Sequence, residues 1–189
     1  MRRTQDLPAS GSAKGASGLP ANGGARGALG FTMIEVMVVM VILAILSSIA
    51  IPGFSRWLPN YRLKGAARDF YSNLQLAKSG AIRDRADWAV ELSGNTYIVT
   101  RDGSGTPFKT VNLTDYGSNV SFGAGSSTPS AGAVTADSEN PVVFNSRGFT
   151  TNEDPILAYL TNSRNTSYAV GTLVSGAVVL RKWNGSGWE

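Results

Sequence analysis

The feature that most constrains this chain is an apolar run of 21 residues, from Phe31 to Ile51. A bilayer core about 30 Å thick needs roughly 20 such residues in a helix, so the run is long enough to span a membrane. Its one charged side chain, Glu35, lies near its start. An acid inside a membrane segment costs roughly 2.5 to 3.5 kcal/mol on insertion scales. We therefore expect Glu35 to find a partner outside its own helix.

The residues on either side of the run differ in character. Residues 1–30 are rich in Gly, Ala and Ser and lack apolar periodicity, which predicts a leader outside the fold. Residues 31–52 form the predicted transmembrane helix. The pair Pro52-Gly53 then predicts a kink or local unwinding, because proline removes a helix hydrogen bond.

Residues 53–86 are predicted to form an amphipathic helical stem. One apolar stripe recurs at steps of four and three residues: Leu63, Ala67, Phe70, Leu74, Ala77 and Ala81. We expect this stripe to pack on a sheet; a basic helix lying on a membrane surface is the alternative. A single helix over residues 31–85 would be about 80 Å long, which exceeds what a domain of this size can bury. Its first half therefore needs other molecules to cover it.

Residues 87–189 change to a β pattern. Apolar residues alternate from Trp88 to Leu92, and turn residues separate further short strands. These strands are expected at 97–99, around 111–113, and at 120–122, 142–144, 156–160, 168–174 and 177–183. Residues 123–139 are expected to form a surface loop. Antiparallel hairpins after one long helix predict an α+β fold, with the helix packed on an antiparallel sheet.

Composition excludes several kinds of site. The chain has no cysteine and no histidine, so disulfides, thiolate metal sites, histidine triads and zinc sites are ruled out. The acidic stretches 102–105 and 137–139 lack the regular ligand spacing of a calcium loop and are interpreted as turns. We predict no enzyme activity, no metal and no cofactor; an anchored or secreted enzyme is the alternative.

The junction before the run carries a specific motif. Its residues, Gly30-Phe31-Thr32-Met33-Ile34-Glu35-Val36, resemble the prepilin-peptidase site of type IV pilins and of the pseudopilins of type II secretion. The resemblance implies cleavage between Gly30 and Phe31, N-methylation of Phe31, and a helix that stays in the mature protein. It also implies that Glu35 pairs with the new amino terminus of a neighbouring subunit. Removing either charge would leave the other buried and unpaired.

Two other interpretations of the run are open. An ordinary signal peptide would be cut after the run, where Ser48-Ile49-Ala50 loosely fits the small-x-small rule. A plain anchor would not be cut. Neither has a use for an acid at position 35. The leader is longer than is usual in pilins, which an upstream start codon assigned in error would explain. The positive-inside rule favours the opposite orientation, so an N-terminus on the cytoplasmic side rests on the resemblance.

The resemblance extends over residues 30–183. Pro52 after the run, the stem that runs to Ala81-Ile82-Arg83, and the segment Phe144–Phe149 are similar to minor pseudopilins of the GspH/FimT type. A strand that ends in a glycine turn also explains Phe144–Gly148 without a functional role.

The C-terminal end suggests an alternative function. Some FimT-like minor pilins bind DNA through a basic C-terminal motif built on Gly-Arg-x-Arg, whereas this chain has Gly176-Ala177-Val178 at its last hairpin. Arg181, Lys182 and Trp183 follow as candidate DNA contacts. Residues 91–189 hold six basic and eight acidic side chains, so such binding would be weak and salt-sensitive. An exposed terminal strand with a tail is the structural alternative.

The resemblance implies a minor pilin or pseudopilin, which is a structural subunit of a type II secretion pseudopilus or a type IV pilus. We expect a single-pass protein of the bacterial inner membrane, with residues 87–189 in the periplasm or exposed on a pilus. Its expected partners are other pilins, the prepilin peptidase and the membrane, with secreted cargo or DNA as further candidates. Both machines use the same helix chemistry, so both stay open as hosts.

Overall fold

A computed structural model describes residues 30–101 and 106–189 of the chain. Within these residues one α-helix, α1 (Met33–Asp84), precedes nine strands, and a short 3-10 helix (Leu113–Tyr116) lies between the third and the fourth strand. In chain order the strands are β1 (Trp88–Ser93), β2 (Thr96–Arg101), β3 (Pro107–Asn112), β4 (Val120–Phe122), β5 (Val134–Thr135), β6 (Val142–Phe144), β7 (Ile156–Asn162), β8 (Ser167–Thr172) and β9 (Val178–Lys182). The fold is α+β, as the sequence predicts.

The chain divides into two compact units, Met1–Ile42 and Leu43–Glu189, and α1 contributes to both. In the second unit, all six residues of the predicted stripe are fully buried: Leu63, Ala67, Phe70, Leu74, Ala77 and Ala81. The expectation that the stripe packs on a sheet is confirmed. A membrane-surface helix that uses this face is therefore excluded, because the face is already covered by protein.

Helix α1 continues through Pro52 and Gly53, so of the kink or local unwinding expected there, the unwinding does not occur. A proline removes one hydrogen bond from a long ladder, and the turns on either side keep theirs. The helix ends at Asp84, two residues before the expected end of the stem. Arg85 follows with a φ of 52°, in the left-handed conformation that commonly terminates helices.

The strands form two sheets, where the sequence predicted one. The first sheet has the order β3-β2-β1-β6 and is antiparallel throughout. The second has the order β4-β7-β8-β9, also antiparallel, and the two-residue β5 pairs with β7 in parallel. The expectation that all strands pair as antiparallel hairpins is therefore wrong for β5. This strand lies within residues 123–139, which were expected to form a surface loop. Backbone bonds such as Val134 N–H to Pro155 O (2.8 Å) hold it, and its sequence has no alternation to reveal it.

Both sheets pack against α1 in one hydrophobic core. Phe70 of the helix meets Tyr97 and Phe122 edge-to-face, at ring-centroid distances of 4.8 and 5.8 Å. The core includes Trp88 and Val90 of the first sheet and Ala158, Leu160 and Val170 of the second. Successive strand residues face opposite sides, so a smaller cluster forms on the other face of the second sheet, around Leu157, Tyr159 and Ala169.

The segment Phe144–Gly148 docks the first sheet against the end of α1. The Asn145 Oδ1 accepts hydrogen bonds from the backbone N–H groups two and four residues ahead, at 2.9 and 3.1 Å. Gly148, with a φ of 79°, lies so close to the helix that an added Cβ would be 2.7 Å from Ile82 Cδ1. Gly176 in turn lies against the carbonyl of Gly148. A glycine turn therefore accounts for this segment.

Candidate functional site

The predicted cleavage junction lies before the first turn of α1. Gly30 and Phe31 have no regular secondary structure, and Phe31 is 82% exposed. A Cβ built on Gly30 would meet no described atom within 4 Å. The described part of the chain thus leaves this peptide bond accessible to an enzyme.

Thr32 caps the helix that follows. Its Oγ1 accepts a hydrogen bond from the N–H of Glu35 (3.2 Å), and its carbonyl accepts one from the N–H of Val36 (3.2 Å). Thr32 is therefore the N-cap, and Glu35 lies in the first turn, where the helix dipole favours a carboxylate. Among the described residues, Glu35 forms no ion pair. Its negative charge is favourable within the helix and available to an external cation.

The apolar run around Glu35 is exposed along its whole length. The exposed fractions of its large side chains range from 45% at Val36 to 85% at Met33. By length and composition, α1 is able to cross a membrane. Contiguous apolar surface of this extent marks an interaction site.

A polar network holds the buried part of α1 on the first sheet. The Asp69 carboxylate accepts hydrogen bonds from Tyr97 Oη (2.7 Å) and Asn73 Nδ2 (2.9 Å), and Asn73 Oδ1 accepts one from Lys109 Nζ (2.8 Å). Burial, and then the hydrogen bond to Asp69, raise the pKa of Tyr97 well above its usual value. The same causes raise the pKa of Tyr116 to about 12. Both phenols therefore stay protonated near neutral pH, and the network is structural.

The predicted DNA contacts lie at the end of β9, and the strand separates them. Alternation places Arg181 with Val179 on one face of the second sheet, and Lys182 with Leu180 on the other. Trp183 follows the strand and is partly buried. A joint contact by these three residues stays a prediction, and it would require DNA to reach both faces of the sheet.

The residues after β9 fold back as a short hairpin. The backbone groups of Lys182 and Glu189 exchange hydrogen bonds of 2.8 and 2.9 Å. The indole of Trp188 packs against Tyr159 and Trp183, at centroid distances of 5.4 and 5.1 Å, and its Nε1 donates to a backbone carbonyl. The tail expected after the terminal strand is therefore folded back, and the ring of Trp188 packs against the smaller cluster on the second sheet.

Sequence reasoning missed a groove beside α1. It has a volume of about 1030 Å³ and is lined by Trp57, Tyr61 and Lys64 of the helix, by Lys182 at the end of β9, and by Trp183 directly after that strand. Trp57 and Tyr61 stack with centroids 4.7 Å apart, yet they are 54% and 59% exposed. One signal was present in the sequence: aromatic residues recur at steps of three and four directly after the apolar run.

Within the described residues, no cluster of acidic side chains could hold a metal ion. Asp137 instead closes a turn, in which its Oδ1 accepts the N–H groups of Asn140 (2.8 Å) and Glu139 (2.9 Å). These hydrogen bonds lower the pKa of Asp137. The other stretch interpreted as a turn, residues 102–105, lies outside the described residues.

A profile of the prokaryotic N-terminal methylation motif matches residues 26–51. A second profile, described as Type II transport protein GspH, matches residues 66–177, which is more than half of the chain. The chain belongs to the GspH family. Its resemblance to minor pseudopilins is thereby confirmed. The GspH match covers most of the buried part of α1 and most of both sheets, whereas the methylation motif covers the junction and the exposed run.

This GspH-family chain is also similar to solved structures of pilin-like proteins. The type IV minor pilin FimU of Pseudomonas aeruginosa is 13% identical, with a TM-score of 0.48 over 70% of this chain and 96% of that one. The minor pseudopilin EpsH from the Type 2 Secretion System of Vibrio cholerae is 16% identical, with a TM-score of 0.45 over 63% and 95%. No curated protein matches the chain. The family assignment rests on the two profiles.

Proposed function

We propose that this chain is a minor pilin or pseudopilin subunit that is trimmed before Phe31, held in the bacterial inner membrane, and assembled through α1. The observation that carries the proposal is a contrast along one helix. Its apolar run is exposed, whereas its stripe from Leu63 to Ala81 is fully buried. A helix of this kind needs lipid to cover its run before assembly and neighbouring helices afterwards.

The first step of this proposal is processing. A prepilin peptidase cuts between Gly30 and Phe31 and methylates the new amine. Methylation retains the positive charge and adds apolar bulk at the end of a membrane helix. The exposure of Phe31 and the open surroundings of Gly30 support access by the enzyme.

The second step is assembly through a charge pair. The carboxylate of Glu35 lies one helical turn after the new amino terminus and has no cation among the described residues. In a staggered stack of helices, it meets the Phe31 amine of a neighbouring subunit. Both charges are then removed from water, so each depends on the other for neutralisation.

The role proposed for the rest of the chain is structural. The chain crosses the inner membrane once, with residues 87–189 in the periplasm or displayed on a pilus, and it has no enzymatic activity. Its partners are other pilins, the peptidase and the membrane, with secreted cargo as a further candidate. The host machine is a type II secretion pseudopilus or a type IV pilus. Deletion of the gene distinguishes them, since it would impair protein secretion in the first case and pilus formation in the second.

Site-specific photo-crosslinking tests this function. A crosslinking residue replaces Val39 in the full chain, in cells with and without the cognate assembly machinery, and a matched control replaces the exposed Glu153. We expect adducts to lipid from position 39 in both cells, and adducts to other pilins only in cells that hold the machinery. Lipid adducts alone in assembling cells would contradict the proposal.

A second candidate function, DNA binding, is supported by one observation: Lys182 and Trp183 line a groove together with the stacked rings of Trp57 and Tyr61. Aromatic rings with neighbouring cations suit single-stranded nucleic acid. The test is binding of single-stranded and duplex DNA by the full chain in detergent at low ionic strength. If the groove binds DNA, Lys182→Ala should weaken binding and Arg181→Ala should not. Absence of binding at low salt removes this function.

A further inference from the structure

We propose that the groove lined by Trp57, Tyr61, Lys64, Lys182 and Trp183 binds the headgroup of an anionic phospholipid while the subunit is still in the membrane. This inference rests on the membrane anchoring proposed above and adds a specific lipid site to it. The occupant is a glycerophospholipid of the leaflet in which the apolar run ends.

The position of the groove along the helix supports this assignment. The predicted transmembrane helix ends at residue 52, and Trp57 follows five residues later, which is a rise of about 7.5 Å. Each headgroup layer adds roughly 5 to 8 Å to the core. Trp57 therefore lies in the headgroup layer, and Tyr61, one turn further along the helix, lies just outside it.

The aromatic side chains have the chemistry of that layer. Trp57 and Tyr61 stack on each other but leave more than half of their surface exposed, and Phe54, one turn earlier, is 61% exposed. Helical side chains tilt toward the N-terminus, which directs these rings back toward the bilayer. Trp and Tyr concentrate at membrane interfaces because their rings are apolar and their N–H and O–H groups are polar.

The polar end of the groove is positively charged. Lys64 and Lys182 are exposed, and neither forms an ion pair with a described residue. Among the described residues that line the groove there is no acidic side chain. A phosphodiester, which carries one negative charge, would lie between the two ammonium groups and offset one of their two positive charges, with its glycerol and acyl chains directed along the aromatic rings.

The walls of the groove are held in place without a ligand. The Asn60 Oδ1 accepts hydrogen bonds from Asn162 Nδ2 and from Thr166 Oγ1, each 2.9 Å long. These bonds tie the helix to the second sheet beside the groove. Its volume of about 1030 Å³ exceeds that of a free phosphate and accommodates a headgroup with its glycerol.

Tryptophan quenching tests the position of the groove. The full chain is placed in nanodiscs that contain lipids brominated near the carbonyl end or near the chain end. Subtracting the emission of Trp57→Phe from that of the unmodified chain isolates Trp57; Trp188→Phe, outside the groove, is the matched control. We expect Trp57 to be quenched at least twofold more by the shallow bromines than by the deep ones, and Trp188 by neither. Absence of quenching of Trp57 would overturn the inference.

Lipid selectivity tests the chemistry of the groove. The full chain is placed in nanodiscs made of phosphatidylglycerol mixed with phosphatidylcholine, and native mass spectrometry counts the lipids that stay bound to it. Each basic residue near an anionic surface contributes about 1 kcal/mol, or roughly fivefold in affinity. Lys64→Gln with Lys182→Gln should therefore reduce the retained phosphatidylglycerol more than tenfold. The control removes two exposed cations outside the groove, Arg85→Gln with Arg147→Gln, and should leave retention unchanged.

The outcomes separate this inference from the function on which it rests. A chain that fails to enter nanodiscs would overturn both the membrane anchoring and the lipid site. A chain that inserts but retains both lipids equally would overturn the lipid site alone. Crosslinks from position 61 to a second copy, or displacement of the lipid by single-stranded DNA, would assign the groove to those occupants and overturn it as well.

Discussion

The role of Glu35 gives the sharpest prediction, because the structure supplies two explanations with different magnitudes. Within its own helix, the carboxylate lies in the first turn, and its backbone N–H is capped by Thr32. A first-turn acid contributes roughly 0.3 to 1 kcal/mol, and loss of a threonine N-cap costs about 1 kcal/mol. If Glu35 only stabilises its helix, Glu35→Gln and Thr32→Ala should each reduce assembly by about fivefold or less.

The charge-pair explanation predicts a much larger effect for one of these variants. Breaking a buried ion pair leaves an uncompensated charge, at about 3 to 5 kcal/mol. Glu35→Gln should therefore lower incorporation by at least about a hundredfold, while Thr32→Ala stays near fivefold. The assay expresses each variant with the wild-type chain and compares sheared filaments with the membrane fraction by quantitative immunoblotting.

Membrane insertion serves as the internal control for both variants. Glu35→Gln removes a charge from a membrane segment, so insertion should be preserved or improved. If Glu35→Gln and Thr32→Ala impair incorporation equally, the acid acts as a helix-stabilising residue and the charge pair is refuted.

The other predictions concern the stability of the second unit. Gly80→Ala should lower the free energy of unfolding by about 1 to 2 kcal/mol. The added Cβ would lie 2.7 to 2.9 Å from the buried indole of Trp88, and this overpacking outweighs the gain in helix propensity. Gly65→Ala is the matched control: its Cβ would meet no atom closer than 4.0 Å, so a gain of about 0.5 to 1 kcal/mol is expected in urea unfolding. Tyr97→Phe should cost about 1.5 to 3 kcal/mol, because a hydrogen bond to the charged Asp69 is lost; a cost below 0.5 kcal/mol would contradict the network.

The elements that local patterns determine were predictable from the sequence. The stripe from Leu63 to Ala81 follows from helical spacing, and β1 follows from the alternation of Trp88, Val90 and Leu92. The candidate processing and assembly residues Gly30, Phe31 and Glu35 were predictable because they lie in one short motif of the sequence.

Features that depend on long-range pairing were not predictable in this way. The strand β6 pairs with β1 of the first sheet and β4 pairs with β7 of the second, and no local signal chooses these distant partners over a neighbour in the chain. The groove exists because the fold brings Lys182 beside Lys64, which lies on a helix more than a hundred residues earlier. The terminal hairpin depends on contacts of Trp188 with Tyr159, which the spacing of the tail does not reveal.

The mass of the mature N-terminus tests whether the chain is processed between Gly30 and Phe31. The full chain is expressed with its prepilin peptidase, isolated from membranes, and analysed by intact mass and terminal-peptide sequencing. We predict a chain that begins with N-methylated Phe31 and retains the apolar run. A chain that begins at Ile51 would mean an ordinary signal peptide, and one that retains residues 1–30 would mean a plain anchor. Either result would contradict assembly through a processed helix.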